Sequence, residues 1–200
     1  MSIRVAKSAG FCFGVSRAVE LVEQAAAAGK KVATLGPIIH NRHVVDKFER
    51  MGVRVIEKPE EARPEETVII RSHGVTREVV ERLEKTGAEI IDATCPFVKR
   101  IHSIVSREEE KGKLPVIIGT PTHPEVEGIA GWCSDCRIFA SRDDLKNWVD
   151  SLENPKESSI CIVSQTTSTE SLWKACVDFA KKEFTNLKIF DTICRATEYR

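Results

Sequence analysis

Short runs rich in Val and Ile recur along the chain, separated by longer stretches in which apolar residues return every three or four positions. The runs at 3–6, 32–35, 53–56, 68–71, 90–92, 116–119, 137–139, 160–163 and 188–190 predict β-strands. Most are continuously apolar rather than alternating, as strands buried on both faces of a parallel sheet are. Between them, Val15, Val19 and Val22 share one face of a helix predicted over 15–29 that closes on Gly29. A second helix opens on Thr76 as N-cap and closes on Gly87. Val98, Ile101 and Val105 line a helix running from Pro96 to about Gly112, and Leu172, Cys176, Phe179 and Phe184 mark a last long one. The alternation predicts an α/β protein with parallel sheets and flanking helices. ENPKESS, near position 155, reads as a surface loop.

Composition narrows the class. In 200 residues, 30 Lys and Arg balance 30 Asp and Glu, 42% are hydrophobic and 30% charged, which excludes disorder and leaves a folded globular chain. Without a basic excess, a nucleic-acid partner is not expected. No apolar run is long enough to span a bilayer and the first residues lack a signal-peptide core, so a cytoplasmic protein with no membrane partner is expected.

Cysteine changes the picture more. There are seven, at 12, 95, 133, 136, 161, 176 and 194, an odd count that in a reducing compartment points to core residues, metal ligands or reactive thiols. GFCFGV, DATCPFV and DTICRAT each set a cysteine just after a strand and at the start of a helical pattern; Cys95 lies 83 residues beyond Cys12, and Cys194 99 beyond Cys95. The chain therefore reads as repeated small lobes, each opened by a cysteine at a helix N-terminus, a setting that favours thiolate. Three such thiolates without a fixed fourth ligand suit either zinc with an open position or an iron–sulfur cluster with an open iron. Cys133 and Cys136 form a C-x-x-C pair that alone reads as half a zinc ribbon or a redox pair, but no second pair exists, the pair lies between strands rather than at a strand–helix turn, and they are expected to lie apart from the three. Cys161 in a strand and Cys176 on an apolar helix face read as core.

Six predicted strand ends carry polar side chains: His40 with Asn41, Ser72 with His73, Cys95, His123 with Glu125, Gln165 with Thr166 and Thr167, and Cys194. Any one turn collects such residues for local reasons. Together, at the strand ends of open parallel sheets, they predict a composite ligand site. The three histidines suit a phosphate, and an enclosed Glu125 suits proton delivery, although a glutamate at a helix start is also favoured by the dipole alone. Thr166 or Thr167 is expected to cap the helix from about Ser168 while the other faces the ligand. His43 and His102 read as surface or packing residues.

Taken in order, GFCFGV, LGPIIHN, RSHGV, DATCPFV, HPEVEG, SQTT and DTICRAT resemble the LytB family of 4-hydroxy-3-methylbut-2-enyl diphosphate reductases, from residue 3 to residue 200. The resemblance implies three α/β lobes around a central iron–sulfur site, two of them in this chain. Residues 1–13 would be a strand and first cysteine belonging to the third lobe, 14–95 the first lobe, 96–194 the second, and 195–200 the start of the third. It implies a 4Fe–4S cluster on Cys12, Cys95 and Cys194, diphosphate contacts from His40 and His73, and His123 as the third pocket histidine, in binding and catalysis. Glu125 would deliver protons and Thr166 would face the substrate. The implied reaction is reductive dehydroxylation of 4-hydroxy-3-methylbut-2-enyl diphosphate to isopentenyl and dimethylallyl diphosphate, fed by a ferredoxin or flavodoxin. The family continues past its third cysteine with a lobe that grips the diphosphate through a Ser-x-Asn motif and a later Ser. This chain ends six residues after Cys194, so an aggregation-prone, two-lobed piece that holds its cluster poorly and turns over little substrate is expected. The alternatives are an inert iron–sulfur protein and a zinc hydrolase of a phosphorylated substrate.

Overall fold

The structure, a computed structural model, describes residue 4 and residues 9–197. The strand expected at 3–6 falls outside the described residues save for Arg4. Strands and helices alternate through the rest. They run α1 (Phe13–Ala27), β1 (Lys31–Leu35), α2 (Arg42–Arg50), β2 (Arg54–Ile56), β3 (Glu66–Ile70), α3 (Arg77–Glu84) and β4 (Glu89–Asp92). The order then continues with α4 (Pro96–Glu110), β5 (Leu114–Ile118), α5 (Pro124–Ala130), β6 (Arg137–Phe139), α6 (Arg142–Asp150), β7 (Ser159–Ser164), α7 (Glu170–Glu183) and β8 (Asn186–Ile189). ENPKESS folds as a 3₁₀ turn at Pro155–Glu157, and another such turn, Arg195–Thr197, follows Cys194.

Two four-stranded parallel sheets result, ordered β2-β1-β3-β4 and β6-β5-β7-β8. The chain divides into two compact units, one of residues 1–72, 82–95 and 194–200, the other of 73–81 and 96–193. In each sheet the two central strands are the continuously apolar ones, and β1, β3, β5 and β7 are buried over almost their whole length. The edge strands are only half-buried. Helices supply the apolar cover that a sheet buried on both faces requires. In the first unit Ala18, Val22 and Ala25 of α1 join Val32, Ile69 and Phe48 in one core. In the second, Trp173, Cys176, Phe179 and Ala180 of α7 pack with Val116, Ile160 and Leu145, while Ile101 and Val105 of α4 meet Ile117, Val126 and Val163.

The 83-residue offset between Cys12 and Cys95 extends into the fold. It also relates the first residues of α1 and α4, those of β1 and β5, Gly36 to Gly119, and His40 to His123.

Two elements differ from the sequence expectation. Helix α6 was not anticipated, because its apolar residues, Leu145, Trp148 and Val149, are too few to show a period; its start is set by Ser141, whose hydroxyl accepts from the Asp144 amide at 3.1 Å. Helix α7 begins later than expected, and its cap is neither Thr166 nor Thr167. Thr169 takes that place, its hydroxyl accepting from the Leu172 amide at 3.3 Å, because Thr166 is buried against another partner.

Candidate functional site

Each sheet reverses its strand order between its two central strands, and in open parallel sheets ligands bind beyond the carboxyl ends at that reversal. In the first unit these ends lead into residues 36–41 and 71–72; in the second they lead into 119–125 and 165–168.

The second unit places Glu125 in the first turn of α5, buried, with His123 as the N-cap. One carboxylate oxygen of Glu125 accepts from the Thr166 amide at 2.6 Å and the other from the Thr166 hydroxyl at 2.7 Å. Burial raises the Glu125 pKa from the ordinary carboxylate range; the Thr166 hydrogen bonds and the nearby His123 ring pull the other way without cancelling it. The result is a carboxyl group that keeps its proton to higher pH than an exposed one. Thr166 itself is fixed by Gln165, whose amide donates to Ile118 O at 2.8 Å and whose Oε1 accepts from the Thr120 amide at 3.1 Å. Gly119 makes this possible, since a Cβ there would stand 2.8 Å from both Gln165 Cβ and Val126 Cγ2. His123 Nδ1 accepts from the Glu125 amide at 3.1 Å, so the neutral ring carries its hydrogen on Nε2. The His73 ring meets the His123 ring edge-on at 5.9 Å. Glu125, Thr166, His123 and His73 therefore lie in one neighbourhood. Of the two histidines read as bystanders, His43 is exposed, while His102 is buried and stacked on Trp132.

The first unit holds the three repeated cysteines and His40. Cys12 is the N-cap of α1 and its sulfur makes no capping bond; neither α1 nor α4 has an acidic residue in its first turn. Gly14 is buried, and a Cβ on it would stand 2.5 Å from Cys95 Sγ. The missing side chain makes room for that sulfur beside the helix that Cys12 opens. An aspartate three residues ahead of both Cys95 and Cys194 makes the same local turn: Asp92 Oδ1 accepts from the Thr94 amide at 2.8 Å and Asp191 Oδ1 from the Ile193 amide at 3.3 Å. Arg17 of α1 reaches Asp92 O and Thr94 O at 3.3 and 3.4 Å, and the Cys95 amide donates to Ser72 O at 2.9 Å. Ser72 in turn donates its amide and hydroxyl to Ile38 O, both at 3.3 Å, tying the Cys95 loop to the stretch that leads to His40. His40 is exposed, next to Asn41, the cap of α2.

Cys12, Cys95 and Cys194 are all half-buried thiols outside any disulfide. Among the described residues, no three Cys, His, Asp or Glu side chains are close enough to hold one metal ion. Sulfurs sharing a single zinc stand at most about 4.6 Å apart, twice the zinc–sulfur bond, whereas a polynuclear cluster holds its ligands farther apart. Three thiols are the donor type that an iron–sulfur group takes. Gly14 and Arg17 were not anticipated as supporting residues; the third residue of the CFG step and an arginine one turn into α1 were the available signals.

A family model described as LytB protein matches residues 3–200. The 4-hydroxy-3-methylbut-2-enyl diphosphate reductase of Caldanaerobacter subterraneus subsp. tengcongensis is 43% identical over 205 residues, an alignment covering all of this chain and 69% of the relative. The enzyme of the same name from Clostridioides difficile is 36% identical, with all of this chain and 71% of the relative covered. A solved structure of (E)-4-hydroxy-3-methyl-but-2-enyl diphosphate reductase, described as the terminal enzyme of the non-mevalonate pathway, superposes with a TM-score of 0.84 at 39% identity, covering 99% of this chain and 70% of that one. The E-1-hydroxy-2-methyl-but-2-enyl-4-diphosphate reductase of Plasmodium falciparum superposes at 0.86 with 30% identity, covering 94% of this chain and 59% of that one.

Proposed function

Since this chain belongs to the LytB family, we propose that it carries out the family's reaction, in which 4-hydroxy-3-methylbut-2-enyl diphosphate takes up two electrons and two protons and releases water. The products are isopentenyl and dimethylallyl diphosphate. Cys12, Cys95 and Cys194 hold a 4Fe–4S cluster, which when bound supplies the electrons and a Lewis acid for the departing hydroxyl. The electrons come from a small one-electron carrier of the ferredoxin or flavodoxin type. Among the described residues no helix is long and apolar enough to cross a membrane, which suits a cytoplasmic enzyme.

The observation that carries the reading is the buried Glu125 carboxyl clamped on Thr166. A reductive dehydroxylation needs a proton for the leaving oxygen and another for carbon. A carboxyl whose pKa burial has raised holds such a proton to higher pH than an exposed one. The Thr166 hydroxyl, already bonded to that carboxyl, is placed to pass hydrogen-bond polarity between Glu125 and the substrate hydroxyl. His40, His73 and His123 bind the diphosphate, with His123 offering its Nε2 hydrogen while Nδ1 stays engaged with the Glu125 amide. Such donors to phosphate oxygens orient the substrate and neutralise its charge.

The test is anaerobic turnover. The protein, loaded with iron and sulfide and reduced by dithionite through a viologen, is given 4-hydroxy-3-methylbut-2-enyl diphosphate, and products are read by mass spectrometry. Both five-carbon diphosphates are expected. A fully loaded protein that leaves the substrate untouched would overturn the assignment for this chain.

A further inference from the structure

Cys133 and Cys136 take no part in the reaction proposed above. They lie in the second unit, on the segment joining α5 to β6, and that segment is fixed from both sides. Just ahead of Cys133, Trp132 Nε1 donates to Val75 O at 2.9 Å, and the indole stacks on His102 at 5.0 Å. Between the two cysteines the chain wraps the Glu109 carboxylate. Its oxygens accept from the Ser134 amide at 2.8 and 3.0 Å, from the Ser134 hydroxyl at 2.8 Å and from the Asp135 amide at 3.0 Å. Burial would raise Glu109, but these donors outweigh it and lower its pKa, so the anchor is an anion. The turn so held packs both thiols against one apolar cluster, with Cys133 Sγ donating to Ala130 O at 3.4 Å. Both are half-buried, and Cys133 lines an open cleft of 390 Å³ together with Arg77, Glu78, Glu81 and Glu110. Among the described residues no third ligand joins them to hold a metal ion.

We propose that Cys133 and Cys136 form a reversible dithiol–disulfide site that reacts with small-molecule disulfides, Cys136 attacking and Cys133 resolving, with Glu109 as the positioning residue. The Cys136 thiolate attacks one sulfur of R–S–S–R, forming a mixed disulfide and expelling RS⁻, which takes up a proton. Cys133 loses its proton to solvent and attacks the Cys136 sulfur, and a second RS⁻ leaves to be protonated. The dithiol is oxidised by two electrons and the small disulfide is reduced to two thiols, so the exchange balances. The division of roles follows from what each sulfur touches. Cys133 keeps its hydrogen on Ala130 O at 3.4 Å, and the neighbouring Cys136, with burial, raises its pKa, whereas contact with Cys133 lowers that of Cys136. Four carboxylates against one guanidinium around the cleft favour a cationic disulfide over an anionic one.

The test follows one tryptic peptide, 114–137, which contains both cysteines and no other. The reduced protein is equilibrated anaerobically with cystamine and cysteamine at varied ratios, quenched in acid, alkylated, digested and weighed. The expected result is conversion of the peptide to an unalkylated form lighter by two hydrogen atoms, reversed by dithiothreitol. Cys133→Ser should instead accumulate cysteamine on Cys136. Glu109→Gln, with its far-ultraviolet circular dichroism unchanged, should need an oxidant-to-reductant ratio higher by about threefold, as the loss of one ordinary hydrogen bond predicts. Glutathione disulfide should react more slowly than cystamine, with the gap narrowing in salt. If Cys133→Ser does not fold, the mass shift of the unsubstituted protein still decides. Recovery of doubly alkylated peptide at every ratio, or mixed disulfides on both cysteines without an internal bond, would overturn the proposal.

Discussion

Glu125 clasps Thr166 with both carboxylate oxygens, one on the backbone amide at 2.6 Å and one on the side-chain hydroxyl at 2.7 Å. The pair links the first turn of α5 to the segment beyond β7, so a proton-holding group and a hydroxyl are presented as one unit. A glutamate placed there only to complement a helix dipole would be solvated and singly bonded. This one is buried and doubly bonded.

Glu125→Gln keeps the shape of this contact but removes the transferable proton. Turnover should fall by about a hundredfold or more, the range for loss of a general acid. Iron content should not change, because the cysteines lie in the other unit. Steady-state kcat together with iron per chain checks this; an unchanged kcat rules out proton delivery.

The pH profile gives an independent reading. As a proton donor, Glu125 is competent only while protonated, so kcat should fall as pH rises through its raised pKa. Thr166→Val removes a hydrogen bond that stabilises the charged form, so the falling limb should move to higher pH by about one unit. Thr166→Ser should leave the limb where it is. A limb that ignores both substitutions belongs to some other group.

Gly14→Ala separates helix stability from cysteine placement. Inside α1, alanine is intrinsically better than glycine by about 1 kcal/mol. The added Cβ would nevertheless stand 2.5 Å from Cys95 Sγ, so the sulfur must move. The variant should keep its melting temperature while taking up several-fold less iron, and Cys95 in the metal-free protein should alkylate at a changed rate. Normal iron uptake would show that this close approach has no bearing on the cysteine's role.

Glu108 predicts the acid limit of stability in the second unit. Fully buried on α4, it receives Lys188 of β8 at 3.0 Å and Lys111 at 3.1 Å. Burial raises its pKa, but the two ammonium groups more than reverse this and bring it down to about 2. A carboxylate with a depressed folded-state pKa stabilises the fold above its unfolded value near 4.5, and that contribution is lost as pH falls towards 2. Glu108→Gln should therefore cost about 1–3 kcal/mol at pH 7 and make unfolding less pH-dependent between pH 5 and 2. Denaturant titrations at several pH values measure both.

Much of this was legible in the residues themselves. Continuous apolar runs such as IIR and VIIG mark strands that only a doubly covered parallel sheet can bury, and the β1, β3, β5 and β7 cores follow from them. The repeated cysteines and the strand-end histidines stand out because polar, reactive residues have no packing reason to recur there. What stayed hidden was hidden for physical reasons. The clamp of Thr166 on Glu125 joins residues 41 apart in sequence, and no local pattern announces such a pair. Thr169 looks like Thr166 and Thr167 until burial removes the first and the Gln165 side-chain amide, donating to the Thr167 hydroxyl at 2.8 Å, engages the second. Glycine at 14 carries no chemistry of its own and gains meaning only from the sulfur it admits.

The central claim is that Cys12, Cys95 and Cys194 together hold one iron–sulfur group. Iron and acid-labile sulfide, counted per chain after anaerobic reconstitution, test it most directly when the seven cysteines are replaced by serine one at a time. The account predicts a brown protein with iron and sulfide in equal amounts. Replacement of Cys12, Cys95 or Cys194 should lose most of both, and replacement of Cys133, Cys136, Cys161 or Cys176 should leave the ratio intact in whatever fraction folds. Full iron and sulfide in any one of the first three variants, or a colourless protein that retains only zinc, would contradict it.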